Sequence, residues 1–425
     1  MTKRVLFLSQ THNVWGGMEQ WLHNFTQWLQ DHSEWDVRVG LARGARFNDP
    51  DAYLAAHPHI RPIVLDARAG TESARIDAIV RAIEAFDPEL VVPIATAAVF
   101  PAIARARRRG MTARLLVPVR SLHPDLFVNI VDHFDLVDGV VAISRLIHRW
   151  FLEKLRDEAD RIHYVRHGVK PPVVQRMPGE RLRVGFIGRL EPEIKRALDL
   201  IPFSRALRDE NVELHVYGSG PSEEELRRAI GWAHFHGYAP QNVLYTTAYP
   251  QLDVVMLFSS EEGTPNVVVE AMQHGVVPVV SRYRGQAAEG FVVDGETGLT
   301  FGVGDAEEAA RLVARLANDR ELPARLSKNA ADAVAGDSDV RMHRDWLAIF
   351  ERVRSLPPKP AGSEFAVPPA GRLERIVPAP VANAFRALLR PAQHADGWSE
   401  WPGTLPADRA RVAEVLADLE RLDRA

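Results

Sequence analysis

The chain has 425 residues, with 52 lysines and arginines against 56 aspartates and glutamates, 46% hydrophobic and 25% charged residues, and no cysteine. That length holds two or three domains of roughly 150 residues, and the composition excludes bulk disorder. The missing cysteines exclude disulfides, thiolate zinc sites, iron–sulfur ligation and a cysteine nucleophile, and the net charge of -4 argues against a general nucleic-acid binder.

In chain order, residues 5–8 read as a strand. Residues 18–30 follow, with Met18, Trp21, Leu22, Phe25, Trp28 and Leu29 at the spacing of an amphipathic helix. Residues 37–41 and 63–65 are further strands, 75–86 a helix, and 90–93, 115–119 and 139–143 strands. A helix then opens at Ser144, a good N-cap residue. Alternation of this kind predicts a parallel sheet covered on both faces. A proline-containing linker at 170–180 precedes a restart: strand 183–187, helix 196–207, strand 212–217, helix 223–230, strand 254–258, helix 267–274 and strand 276–280. A second breaker-rich segment, 356–371, leads to helices predicted at 380–390 and 407–424. In the last, Val412, Val415, Leu416, Leu419 and Leu422 form an apolar stripe that would pack on the body or on a partner subunit. The expected domains are therefore 1–170, 171–355 (its last helix able to return to the first domain) and an extension, 356–425, of unassigned role.

Charge is uneven. Residues 1–176 carry 23 basic and 20 acidic side chains, net +3, and the remainder is net -7; the mildly basic first part hints at an anionic partner or membrane surface. No apolar run approaches the roughly 18 residues that span a bilayer. The first apolar stretch, ending at Ser9 and Gln10, is too short for a secretory signal. A cytoplasmic location is expected, with the inner face of the membrane as the place of any peripheral contact.

The densest chemistry lies in 253–298. A strand leaves its sheet at Ser259 and Ser260, followed by Glu261-Glu262-Gly263-Thr264-Pro265-Asn266 and then Val267-Val268-Val269-Glu270. Thr264 is a candidate N-cap and Pro265 suits the first helical position. A helix opening at the carboxyl end of a parallel strand aims free N–H groups into the crevice, a ready phosphate site. Glu262 and Glu270 bracket this turn, and a carboxylate suits the paired hydroxyls of a ribose or sugar. In a second cluster a strand ends at Gly188, and Arg189 and Lys195 follow on one loop, where fixed cations can neutralise a departing diphosphate. Gly16 and Gly17 after the first strand, and Gly218 after the strand 212–217, mark two further loops at sheet ends.

Other residues carry less. His234 and His236 alternate in a predicted loop, and with only two ligands in sight no metal site is expected. Asp125, Asp132, Asp135 and Asp138 read as solvated. Ser259 and Ser260 lack the glycine context of a nucleophile. Arg105, Arg107, Arg108 and Arg109 end a helix, where cations suit the dipole; an anionic lipid or acceptor is the alternative. Trp21 and Trp28 read as core.

Taken together these clusters resemble the retaining glycosyltransferases of sequence family four, whose GT-B fold has two facing Rossmann-like domains with a cleft between them. The likeness covers roughly residues 1–350 and is strongest over 183–320. Glu262 to Glu270 resembles the family's paired-glutamate signature, Gly188-Arg189 with Lys195 its phosphate-binding signature, Asp294-Gly295, Gly298-Leu299 and Gly304-Asp305 its later turns, and Gly16-Gly17 its first-domain glycine loop. The resemblance implies a nucleoside-diphosphate sugar donor, with Glu270 on the ribose, Glu262 on the sugar, backbone at Thr264–Val267 on sugar and phosphate, and Arg189 and Lys195 on the diphosphate. The acceptor would be a glycan or a lipid-linked glycan, in cell-surface polysaccharide biosynthesis. It also implies retention of anomeric configuration and no metal or other cofactor, side-chain cations taking the metal's part. The chain departs from the pattern in three places. Arg120, with His123 three residues on, stands where the family has a histidine, so either is a candidate catalytic residue. The linker reads His167-Gly168, and the lysine comes six residues after Arg189. A nucleotide-sugar epimerase or phosphorylase, and a non-catalytic nucleotide-sugar-binding subunit, are the rival readings.

Overall fold

The structure is a computed structural model that describes residues 3–14, 17–170, 172, 174, 180–207, 211–319, 321–362, 365, 367, 369–389 and 394–424. It divides into two compact units. The first comprises Met1–Ala142, Phe151–Tyr164 and His343–Asp418, and the second Ile143–Trp150, Val165–Met342 and Leu419–Ala425.

The first unit is built on seven strands: β1 (Lys3–Ser9), β2 (Trp35–Arg43), β3 (Pro62–Asp66), β4 (Leu90–Ile94), β5 (Arg114–Val119), β6 (Val137–Ala142) and β7 (Ile162–Tyr164). They lie in the order β3-β2-β1-β4-β5-β6-β7 with every pairing parallel. Both faces are covered, and the central strands read as nearly unbroken runs of buried Val, Leu, Ile and Phe. The predicted helical stripe is real: helix Gly17–His32 buries Trp21, Leu22, Phe25 and Leu29. From His343 onward, helix Asp339–Ser355 belongs to this unit, where the fully buried Trp346 lies 4.9 Å from Trp21 between ring centroids.

Most of residues 356–418 also belong to the first unit. The two helices expected there run Ala379–Leu389 and Arg409–Asp423. Within the apolar stripe of the second, Val415 and Leu419 are buried.

The second unit has six strands: β8 (Leu182–Ile187), β9 (Val212–Tyr217), β10 (His234–Gly237), β11 (Val254–Leu257), β12 (Val277–Ser281) and β13 (Leu299–Phe301). They lie in the order β10-β9-β8-β11-β12-β13, again all parallel. Two corrections follow. His234 and His236 stand in strand β10 rather than in a loop, with His234 opposite His215 on β9. The helix expected over 196–207 is shortened to Leu200–Ala206, because Arg196 adopts a left-handed backbone (φ 50°) and a single 3₁₀ turn follows it. The later turn elements are structural. Asp294 accepts from Thr300 N (2.7 Å), and Asp305 caps helix Ala306–Asn318 through Glu308 N (2.8 Å). Among the described residues no helix is long and apolar enough to cross a membrane.

Candidate functional site

In an open parallel sheet, ligands bind outside the carboxyl ends of the strands where the strand order reverses. In the second unit that point lies between β8 and β11. The loop after β8 carries Gly188, Arg189 and Lys195; the loop after β11 carries Ser259 to Thr264.

The β8 loop is held by its own backbone and one carboxylate. Gly188 N donates to Tyr217 O (3.0 Å), Leu190 N to Ser219 O (2.9 Å) and Ser222 N to Leu190 O (2.9 Å), so this loop is zipped to the turn after β9. Gly218 makes that possible: at φ 143° a Cβ there would lie 1.8 Å from Gly188 O. The space over Gly188 itself is open, its nearest neighbour being the Phe186 ring at 3.9 Å. Glu191 accepts from the backbone N–H groups of Glu193 (3.0 Å), Ile194 (3.2 Å) and Lys195 (2.5 Å). Burial raises this carboxyl, but those N–H donors outweigh it and hold it below the usual range. The fixed turn delivers Lys195 to the β11 loop.

There Lys195 Nζ lies 2.5 Å from Glu262 Oε1, and Ser259 Oγ donates to the same oxygen at 2.6 Å. Glu262 Oε2 has no partner among the described residues and is available to a ligand hydroxyl. Backbone contacts fix the glutamate from both sides: Ser260 N donates to Ile194 O (2.9 Å), and Glu262 N to Arg284 O (3.3 Å). Arg189 is exposed and makes no ion pair among the described residues.

Helix Asn266–Gln273 opens here with Pro265, not Thr264, at the N-cap. The Thr264 hydroxyl donates instead to Ile143 O (2.8 Å), so it anchors the loop and leaves the helix end uncapped. Val268 N and Val269 N turn back to Pro265 O. The N–H groups of Asn266 and Val267, both half-buried, have no acceptor among the described residues and suit an anion. Gly263 is buried at the start of this turn.

Glu270 lies on the same helix and is only 6% exposed. Tyr249 OH donates to Oε2 (2.6 Å) and Gln241 Nε2 to Oε1 (3.1 Å). Each oxygen keeps a lone pair for a further donor. Burial pushes the carboxyl up, with the hydrogen bonds from Tyr249 and Gln241 opposing. Sequence reasoning missed Tyr249, Gln241 and Ser259. The serine had been weighed only as a nucleophile, and the other two carry no spacing signal.

In the first unit, Arg120 follows β5 with its guanidinium 4.5 Å above the Trp21 ring. Its Nη1 is buried without a hydrogen-bond partner among the described residues. Burial pulls Arg120 down to about 10, with Glu19 opposing, so it stays charged at neutral pH. His123 is exposed, 3.5 Å from Asp125. Gly17 opens its helix; Gly16 lies outside the described residues.

Several side readings need correction. Asp138 is not solvated: it is fully buried and paired with Arg107. Asp132 pairs with Arg411. Arg105 and Arg109 are taken up by Asp77 (2.5 Å) and Glu84 (2.8 Å), so most of that helix end is neutralised. Trp21 is core, whereas Trp28 is only half-buried. Among the described residues no three His, Asp or Glu side chains converge in a metal-binding arrangement.

Known proteins resemble parts of this chain. Residues 181–319 match the family described as Glycosyl transferases group 1. The lipopolysaccharide core biosynthesis glycosyltransferase LpsE of Rhizobium meliloti is 30% identical over 131 residues, 29% of this chain and 37% of that protein. The sulfoquinovosyl transferase SQD2 of Arabidopsis thaliana is 27% identical over 235 residues, 52% of this chain and 41% of that protein. The chain thus spans about two fifths of the length of the curated relatives it matches. Among solved structures, HepE of Anabaena in complex with UDP-glucose superposes with a TM-score of 0.65 at 22% identity, covering 83% of this chain and 100% of that one. Residues 181–319 thus resemble the glycosyl transferases group 1 family, on a chain whose two parallel-sheet α/β units have the fold of the GT-B glycosyltransferases.

Proposed function

We propose that the chain is a retaining glycosyltransferase that moves a sugar from a nucleoside-diphosphate sugar to a hydroxyl of a glycan or lipid-linked glycan, in the assembly of cell-surface polysaccharide. The observation that carries this reading is the meeting of Lys195 with Glu262 at the β8/β11 switch point, beside the open N-terminus of the helix that bears Glu270. The glycosyltransferase LpsE, the sulfoquinovosyl transferase SQD2 and the UDP-glucose held by HepE support it.

Each residue has a part in this chemistry. The free lone pairs of Glu270 accept the ribose hydroxyls, and Asn266 and Val267 N–H groups meet phosphate oxygens. Glu262 Oε2 accepts from a hydroxyl of the donor sugar. As the bond between sugar C1 and the phosphate oxygen breaks, charge builds on the diphosphate, and Arg189 and Lys195 stabilise it. The freed phosphate oxygen takes the proton of the acceptor hydroxyl. The acceptor oxygen bonds to C1 on the face the diphosphate left, so configuration is kept. In the first unit Arg120, charged and with no partner for its Nη1 among the described residues, is a better candidate catalytic residue than the exposed His123. No metal or other cofactor takes part in this scheme.

A thermal-shift screen against nucleoside diphosphates and their sugars tests the donor assignment. A ligand at about 100 times its Kd stabilises by about 2.7 kcal/mol, a visible shift. Stabilisation by at least one nucleoside diphosphate that is lost in Glu270→Ala supports the reading; no shift with any of them contradicts it.

A further inference from the structure

The first sheet has a switch point of its own, between β1 and β4, and residues 396–403 are built into its carboxyl end. Glu400 is buried, and its carboxylate accepts from three successive backbone N–H groups after β2, those of Arg46 (2.9 Å), Phe47 (3.0 Å) and Asn48 (2.8 Å), and from Asn48 Nδ2 (3.1 Å). Trp401 is buried, and Ala97 N, after β4, donates to Pro402 O (3.0 Å). Two glycines allow this approach. A Cβ on Gly44 would fall 1.9 Å from the Glu400 carboxyl, and one on Gly397 would fall 2.2 Å from the His12 ring.

This segment leaves one large aromatic uncovered. Trp398 is 47% exposed. Its ring meets the His12 ring edge-on at 4.9 Å, just after β1. On the other side it adjoins Gly403, whose own Cβ position is 3.3 Å from Ala95 after β4. Polar atoms without partners among the described residues lie around it: both ring nitrogens of His12 and Oε1 of Gln10 are buried with no hydrogen bond to them, although Gln10 Nε2 is held by Ala95 O. Buried polar atoms are nearly always satisfied, so a set of orphans at a switch point marks a place for ligand hydroxyls.

We propose that residues 396–403 complete a carbohydrate site on the first unit, in which a sugar ring of the acceptor lies against the Trp398 indole and its hydroxyls bond to His12 and Gln10. The indole offers the flat apolar face of a pyranose an equally flat partner, and its half-exposed position keeps that face accessible. Burial lowers the His12 imidazole, with Asn48, Asp396 and Glu400 opposing; in the neutral ring the two nitrogens are one donor and one acceptor, a match for a hydroxyl. Naming the sugar as acceptor rests on the transfer reading above; the site itself does not.

Saturation-transfer NMR on the full chain tests it, with methyl glucoside, methyl galactoside and methyl mannoside as probes. At least one pyranoside should receive saturation. Trp398→Leu, which keeps the apolar contacts to His12 and Gly403 but removes the ring, should lower that signal at least fivefold at unchanged Tm, and Trp398→Phe should retain part of it. Should the leucine variant not fold, Trp398→Gln makes the same comparison. No saturation of any probe, or full saturation in the folded ring-less variant, overturns the proposal. A parallel UDP thermal shift separates the two readings. UDP stabilisation without pyranoside binding removes this site and leaves the donor assignment standing. Trp398-dependent pyranoside binding without any nucleotide binding does the reverse.

Discussion

Lys195 Nζ stands 2.5 Å from Glu262 Oε1 across 67 residues of sequence, and this pair ties together the two loops that form the β8/β11 switch point. Both side chains are partly exposed, so the pair contributes roughly 0–1 kcal/mol to folding. Its importance lies in chemistry. Lys195→Ala should lower kcat/KM at least about tenfold, about 1.4 kcal/mol of transition-state stabilisation, while the unfolding free energy falls by no more than about 1 kcal/mol. Steady-state kinetics and denaturant titration of the same preparation check both halves.

Glu270 gives a prediction in pH. Burial raises its carboxyl above the ordinary 4.5, so the folded chain binds this proton more tightly than the unfolded one. The group's contribution is then most favourable below pH 4.5 and is lost as pH rises through the raised value. Glu270→Gln removes that titration. Its stability relative to the wild type should therefore improve on going from acid to neutral pH, measured as unfolding free energy against pH. Glu270→Ala removes the same titration and also leaves the buried Tyr249 hydroxyl unpaired, so it should be about 1–3 kcal/mol less stable than Glu270→Gln.

Gly218 is required by packing. With Gly188 O 1.8 Å from a Cβ at this position, Gly218→Ala must push the β8 and β9 loops apart. A loss of at least about 2 kcal/mol is expected, against a change within about 0.5 kcal/mol for Gly231→Ala, where a Cβ meets nothing within 4 Å. Thermal melts of the two variants side by side check the contrast.

Asp138 makes a comparable case in the first unit. Its Oδ2 takes Arg107 and Leu115 N (2.8 Å), and its Oδ1 takes Lys359 N (2.8 Å). Asp138→Ala strands the buried guanidinium and should cost about 3–5 kcal/mol. Because Lys359 lies near the start of the extension and is held by Asp138, limited proteolysis should cut the variant beyond residue 359 faster than the wild type.

Strand–helix alternation and the Glu262–Glu270 spacing were legible in the residue order, because both are local patterns. What was not legible depended on distant partners. Strands β10 and β13 are three or four residues long, and they are strands only because β9 and β12 stand beside them. Tyr249 and Gln241 reach Glu270 from 21 and 29 residues away, with no repeat to betray them. Asp138, in strand β6, looked like one of four surface carboxylates until its helical partner Arg107 was in place. The segment 396–403 has no periodicity, and Glu400 finds its donors 352 to 354 residues upstream. Thr264 was misread by one position, since Pro265, which has no N–H to satisfy, takes the N-cap itself.

The most direct test of the central claim is nucleoside-diphosphate release from a nucleoside-diphosphate sugar, with and without a glycan-lipid extract as acceptor, in the wild type, Arg189→Ala and Glu270→Ala. Release should depend on the acceptor, the product should keep the donor's anomeric configuration, and each variant should lose at least about tenfold in kcat/KM. Full activity in both variants, or release indifferent to acceptor, would contradict it.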